Sequence, residues 1–284
     1  MQKIEDGVYY EDSYPGVTLG AISSSYGVIL IDAPLRTEDA RTWRASLNTV
    51  GNTTNRILVN LDAHLDRTLG ARALESTIVA NQKIAQAFRN RPTVFKGQNI
   101  ETGAEWEASN DVLGTRWALP DITFTQRMLL HWGGPETLLE HHPGPSLGAT
   151  WAIVPEVKVI FVGDTVLPDQ PPFLASADLP VWIESLEILK SSYKGYMLVS
   201  GRNGPVANEA VRAQIKYLKE ILKSLERLAK RNSPPEMTEG LISDLLSDFK
   251  LTPKQRAYYA QRLRHGLYHY YSRHYRPFES PEEG

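Results

Sequence analysis

Residues 60–70 read Asn60-Leu61-Asp62-Ala63-His64-Leu65-Asp66-Arg67-Thr68-Leu69-Gly70. The apolar run Arg56-Ile57-Leu58-Val59 leads in, and a helix-like run from about Ala71 to Leu74 follows. Asp62, His64 and Asp66 are spaced two residues apart, with Arg67 directly after. Oxygen and nitrogen donors crowded on a loop that leaves a buried strand are what a metal site requires. The same residues also suit a polar loop that caps the following helix, with Asp66 or Thr68 at the N-cap.

Working outward, the flanking segments read as a layered α/β domain. Gly7–Tyr10 and Val17–Ile22 predict short strands around a turn at Ser13-Tyr14-Pro15-Gly16. Gly27–Asp32 is a continuous apolar strand ending in Asp, Arg36–Leu47 has helical character, and Arg56–Leu61 is again a strand. Residues 90–120 are rich in Asn, Gly, Pro and Trp and predict a long surface excursion of the kind that carries function. Strands return at Phe124–Leu130, Thr137–Glu140, Thr150–Pro155, Val157–Val162 and Tyr196–Ser200. A proline-rich loop spans 167–180, and Val181–Ser192 predicts an amphipathic helix.

Beyond Ala207 the pattern becomes helical. Val211, Ile215, Leu218, Ile221, Leu222, Leu225 and Leu228 form an apolar stripe within Glu209–Lys230. Met237–Phe249 predicts a shorter helix. Thr252-Pro253 opens a last one to about Tyr275, with Thr252 as N-cap and Pro253 in the first turn. The stripe must pack on something, so these helices are expected to cover the sandwich near its site edge and to offer a homodimer contact.

Composition sets outer limits. The chain has 284 residues, is 42% hydrophobic and carries a formal net charge of -2, so it can build a large core and has no global field for nucleic acid or an acidic membrane. It contains no cysteine, which excludes disulfides, thiolate ligands and a cysteine nucleophile. No apolar run is long enough to span a bilayer, and the expectation is a cytoplasmic protein without membrane or nucleic-acid partners. His265 and His269 share a face of the last helix, but no HExxH arrangement accompanies them, so they read as helix surface.

Polar clusters at 62–67, 142, 164 and 202 each follow an apolar run. In this the chain resembles the metallo-β-lactamase superfamily. Gly70 sets the register of the family's H-x-H-x-D-H motif, which places Asp62, His64, Asp66 and Arg67 on its four positions. The next family histidine falls on His142, with His141 as the competing choice. Ile160–Thr165 matches the strand that ends in G-D-T, and Ser200–Pro205 resembles the G-H-G-P turn with Arg202 in the histidine's place. The resemblance covers roughly residues 1–206.

The resemblance implies a four-layer αββα sandwich over residues 1–206, with a helical C-terminal appendage over 207–284. It implies one metal ion at most, zinc or another divalent metal, held by Asp62, His64 and His142, with Asp164 and Asp66 nearby. Arginine has no lone pair for a metal, so Arg67 and Arg202 are expected to replace the second metal electrostatically by pairing with Asp66 and Asp164. The implied chemistry is metal-dependent hydrolysis of a small-molecule ester, lactone, thioester or amide. Asp66 would handle the water, and Arg67 or Arg202 would stabilise an oxyanion. The alternative is a non-catalytic member whose arginine-lined pocket binds an anionic ligand.

Overall fold

The computed structural model describes residues 1–97 and 102–276. Seven strands form the first sheet in sequence order: β1 (Gln2–Glu5), β2 (Val8–Glu11), β3 (Leu19–Ser23), β4 (Val28–Ile31), β5 (Arg56–Asn60), β6 (Thr77–Asn81) and β7 (Ile122–Phe124). Pairing is antiparallel from β1 to β4 and parallel from β4 to β7. The second sheet contains β8 (Arg127–Leu130), β9 (Thr137–His141), β10 (Thr150–Val154), β11 (Val159–Gly163), β12 (Met197–Ser200) and β13 (Gly204–Val206), in the order β13-β12-β11-β10-β9-β8. Only β11 and β12 are parallel there.

Side-chain alternation builds the layers. Ile29, Ile31, Ile57 and Val59 face Leu139, Ala152, Val154 and Phe161 across the inter-sheet core. The other face of the first sheet sends Leu30 and Leu58 against Trp43 of α1 (Thr37–Ser46). Helix α2 (Gln82–Arg89) follows β6 directly and is capped by the Asn81 side chain. The outer face of the second sheet, with Trp151, Ile153 and Ile160, packs under α3 (Leu179–Ser192) and α4 (Asn208–Lys230). The order is therefore helix, sheet, sheet, helix, the αββα sandwich with a helical C-terminal region that the sequence predicts.

The appendage departs from expectation in one place. The segment expected as one helix over Met237–Phe249 is a 3-10 stretch, Pro235–Leu241, followed by the short α5 (Ile242–Ser247). Gly240 lies at that junction, where its missing side chain and conformational freedom weaken a continuous helix. Helix α6 (Pro253–Tyr275) starts as expected, with a capping box between Thr252 and Gln255. Among the described residues, no helix is long and apolar enough to cross a membrane.

The stripe on α4 is buried. Leu218, Ile221 and Leu225 share one core with Trp182 and Leu186 of α3, and with Leu263, Leu267 and Tyr271 of α6. A chain ending at Val206 would lack α4 and α6 and expose the Trp182 and Leu186 surface of α3 that they cover. It is expected to aggregate or lose its cooperative unfolding transition, which light scattering and denaturant titration would detect. A soluble truncated chain of unchanged stability would contradict this.

Candidate functional site

The site forms where strands of both sheets end. Asp32 follows β4 with a left-handed backbone (φ 57°), and its carboxylate accepts the Leu61 N–H at 2.9 Å. That bond ties the loop after β5 to the end of β4. The loop then turns through a single 3-10 turn, Leu65–Arg67. Asp164 follows β11, and Arg202 lies in the turn between β12 and β13. Six sequence-predicted residues, Asp62, His64, Asp66, Arg67, Asp164 and Arg202, thus meet in one ion-pair cluster.

Arg67 is fully buried. It donates to Asp32 at 3.2 Å and to Asp164, and its Nε lies 3.4 Å from Asp62. A side chain at Gly201 would place its Cβ 2.5 Å from Arg67 Nη1, so that glycine makes room for the guanidinium. Arg202 is equally enclosed. Its Nε spans both Asp164 oxygens at 3.1 Å, Nη1 reaches Asp66 at 3.0 Å and Glu105 at 2.8 Å, and Nη2 meets His64 Nδ1 at 3.1 Å. The expected pairing with Asp66 and Asp164 describes Arg202. Arg67 instead joins Asp164 to Asp32 and Asp62.

Three further residues belong to the cluster and were not singled out from sequence. Glu105 bridges Arg202 to Arg262 of α6, whose Nη2 lies 3.3 Å from the Glu105 carboxylate. Arg262 is itself buried, donating to Gly103 at 2.9 Å and Gln170 at 2.6 Å while its guanidinium covers the Phe173 ring at 3.9 Å. Asp32 carries a faint sequence signal, an Asp closing an apolar strand. Glu105 and Arg262 carry none. The 90–120 segment is also less of a surface excursion than expected, because Phe95, Trp106 and Val112 are buried against Leu65 and Leu69. Residues 98–101 of that stretch lie outside the described residues.

Five carboxylates, Asp32, Asp62, Asp66, Asp164 and Glu105, face three guanidiniums in this buried cluster. Burial pushes Asp32 and Asp66 up to about 7, with Arg67 opposing at Asp32 and Arg202 at Asp66. Burial also raises Asp62 against the pull of Arg67. At Asp164 burial is outweighed by Arg202 and Arg67, which hold the carboxyl below its ordinary range. Burial, reinforced by Arg202, depresses His64 well below its ordinary value, so its ring is neutral.

His142 stands apart. Leu138 packs on the outer core and Leu139 on the inter-sheet core, so alternation sends Glu140 and His142 outward. The His142 ring stacks on Trp151 at 3.5 Å, and Nε2 lies 3.0 Å from Glu140. The competing His141 bonds the Leu147 carbonyl at 2.8 Å. Asp66, expected to handle a water, is fully buried and accepts the Trp106 N–H at 2.8 Å and the Glu105 N–H at 3.3 Å. It anchors the turn Glu105–Ala108 rather than capping the helix-like run after Gly70.

The donor set does not fit a zinc ion. A guanidinium can only donate, so His64 Nδ1 accepts from Arg202 and the neutral ring keeps its proton on Nε2. Neither ring nitrogen then offers a free lone pair. Asp62 and Asp164 are engaged by Arg67, and the second expected imidazole, His142, is absent from the cluster. Among the described residues, no group of three or more metal-ligating side chains has the arrangement to hold a metal. The expected ligand set of Asp62, His64, Asp66, His142 and Asp164 therefore does not assemble.

Beside the cluster opens a cavity of about 350 Å³. Asp62, His64 and Asp164 reach it from the cluster, while Arg67, Arg202 and Asp66 do not line it. The arginine on its wall is Arg91, accompanied by Lys83. His265, expected as helix surface, lines it as well.

Comparisons agree with this architecture. No curated protein matches the sequence. Among solved structures, a double mutant of the sec-alkyl sulfatase PisA1 superposes with a TM-score of 0.64 at 15% identity, over 98% of this chain and 50% of that one. The chain thus spans half the length of that sulfatase. A metallo-beta-lactamase from Pontibacter korlensis gives a TM-score of 0.56 at 19% identity, over 77% of this chain and 97% of the other. Identities this low speak for the fold alone. The model of one family, the Metallo-beta-lactamase superfamily, matches residues 26–201. That superfamily is of hydrolase type and its members typically bind divalent metals, often zinc. The match spans more than half of the sequence, and with it the two-sheet sandwich shows that this chain belongs to the metallo-beta-lactamase superfamily.

Proposed function

We propose that this chain is a metal-free member of its hydrolase superfamily, and that it binds a small organic molecule in the cavity beside His64 without hydrolysing it. The observation that carries this reading is the contact of Arg202 Nη2 with His64 Nδ1 at 3.1 Å. It occupies the Nδ1 lone pair of the histidine that a metal would need and leaves that ring's proton on Nε2. Hydrolysis of an ester, lactone, thioester or amide needs an activated water. Asp66 is spent on backbone N–H groups and Arg202, and the neutral His64 ring has no free basic nitrogen. The cavity itself is within the size range of small-molecule sites.

The test is elemental analysis of protein purified without chelator, followed by a panel of esters, lactones, thioesters and amides with and without added zinc. Far less than one tightly held metal per chain is expected, with no zinc-dependent turnover. One tightly bound zinc per chain, or zinc-dependent turnover abolished by His64→Ala, would overturn the reading.

A further inference from the structure

The cavity wall contains polar atoms that the cluster does not use. Arg91 Nη2 donates to the Ala63 carbonyl at 2.8 Å, but Arg91 Nη1 is buried with no hydrogen-bond partner among the described residues. The Ser146 hydroxyl is likewise buried and unpartnered there. Both residues line the cavity. A buried guanidinium N–H without an acceptor costs free energy, and an acceptor arriving in the cavity would recover it.

The position of Arg91 is fixed. Its guanidinium lies 4.8 Å from the Phe88 ring centroid and 4.7 Å from that of Trp117, and Asp62 acts on its charge only from beyond ion-pair distance. Lys83 stands in the first turn of α2, where the positive end of the helix dipole adds to its charge. No described carboxylate neutralises Lys83 either, whereas the acids on the floor, Asp62 and Asp164, are engaged by Arg67. Among the described residues the cations on the cavity wall thus have no close ion pair, whereas the two acids on its floor do. Much of the remaining wall is aromatic and apolar, with Trp106, Phe173 and Trp182, beside the polar Thr102, Ser176 and His265.

We infer that the cavity is a receptor for a small organic oxyanion with an apolar body, its head group meeting Arg91 Nη1, the Ser146 hydroxyl and Lys83, and its body lying against Trp106, Phe173 and Trp182. This rests on the small-molecule-binding reading above and adds the chemical class of the ligand. Carboxylate and sulfate heads share the acceptor chemistry that these donors require.

Isothermal titration of the full chain in chelator tests it, with phenylpropionate, phenylethyl sulfate and the neutral phenylpropanol as probes. At least one of the two anions should bind saturably, and which one identifies the head group. Phenylpropanol should bind roughly 10-fold or more weakly, the discrimination expected of an unpaired buried donor. Lys83→Gln, a surface change that leaves the fold intact, and Arg91→Gln should each weaken the anion by about the same factor. Equal affinity for alcohol and anion, or unchanged anion affinity in both variants, overturns the ligand class and leaves the metal-free reading standing. The absence of saturable binding by either anion overturns it too. Anion binding that appears only after zinc is added overturns both, since the head group would then sit on a metal.

Discussion

Replacing Arg67 with methionine is expected to lower the unfolding free energy by about 3–5 kcal/mol, the range for removing one member of a buried ion pair. Arg67 is fully buried and touches Asp32, which is fully buried too, and Asp62 and Asp164, which are nearly so. Methionine fills much of the volume but leaves those carboxylates facing one another. Against a total stability of roughly 5–15 kcal/mol, such a loss is readily measured as a shift in denaturant midpoint. Lysine should not restore it, because a single ammonium cannot reproduce the planar fork that reaches all three acids. Adding Asp164→Asn to Arg67→Met should recover part of the loss, since the two residues share one network. An Arg67→Met protein with an unchanged midpoint would mean that the arginine is tolerated rather than required.

The same cluster shows which parts of the molecule are legible in one sequence. Local periodicity reveals the strands of a layered α/β domain, because apolar runs such as Gly27–Asp32 and Val157–Val162 lie within a residue or two of β4 and β11, while the four-layer sandwich follows from the family resemblance. The register set by Gly70 and by Gly163-Asp164 brings Asp62, His64, Asp66, Arg67, Asp164 and Arg202 together. What fails is parity. A displacement of one position moves a strand residue to the opposite face, and His142 falls on the Trp151 side of the second sheet. Long-range partners also escape. Glu105 and Arg262 are 157 positions apart, and nothing in the composition near either announces the contact. Asp66 shows the same limit, because its binding partners are backbone N–H groups 39 and 40 residues away.

The excess of carboxylates over guanidiniums gives the cluster a pH signature. Asp66 is pushed up to about 7 by burial, against the opposing charge of Arg202, while an unfolded aspartate titrates near 3.9. Between those values the folded chain holds a proton at Asp66 that the unfolded chain has released. Stability from this group is therefore fully present below the unfolded value and is lost as pH rises through the folded one. Several histidines with lowered values, His64 among them, act in the opposite sense over part of the same window. The measurement must cancel them. Asp66→Asn does so for the groups remote from it: its one carbonyl keeps either the Trp106 N–H at the Oδ1 position or Arg202 at the Oδ2 position, and the loss of the other is a cost that does not vary with pH. The stability of the wild type minus that of Asp66→Asn should fall by up to about 1.4 kcal/mol per pH unit from roughly pH 4 to 7 and then level off. Across the window this amounts to at most about 4 kcal/mol, and less to the extent that Asp32 takes over the proton. Denaturant unfolding of both proteins at several pH values reads the difference directly. A difference that rises with pH would mean that Asp66 is ionised throughout, and that Arg202 outweighs burial at Asp66 as it does at Asp164.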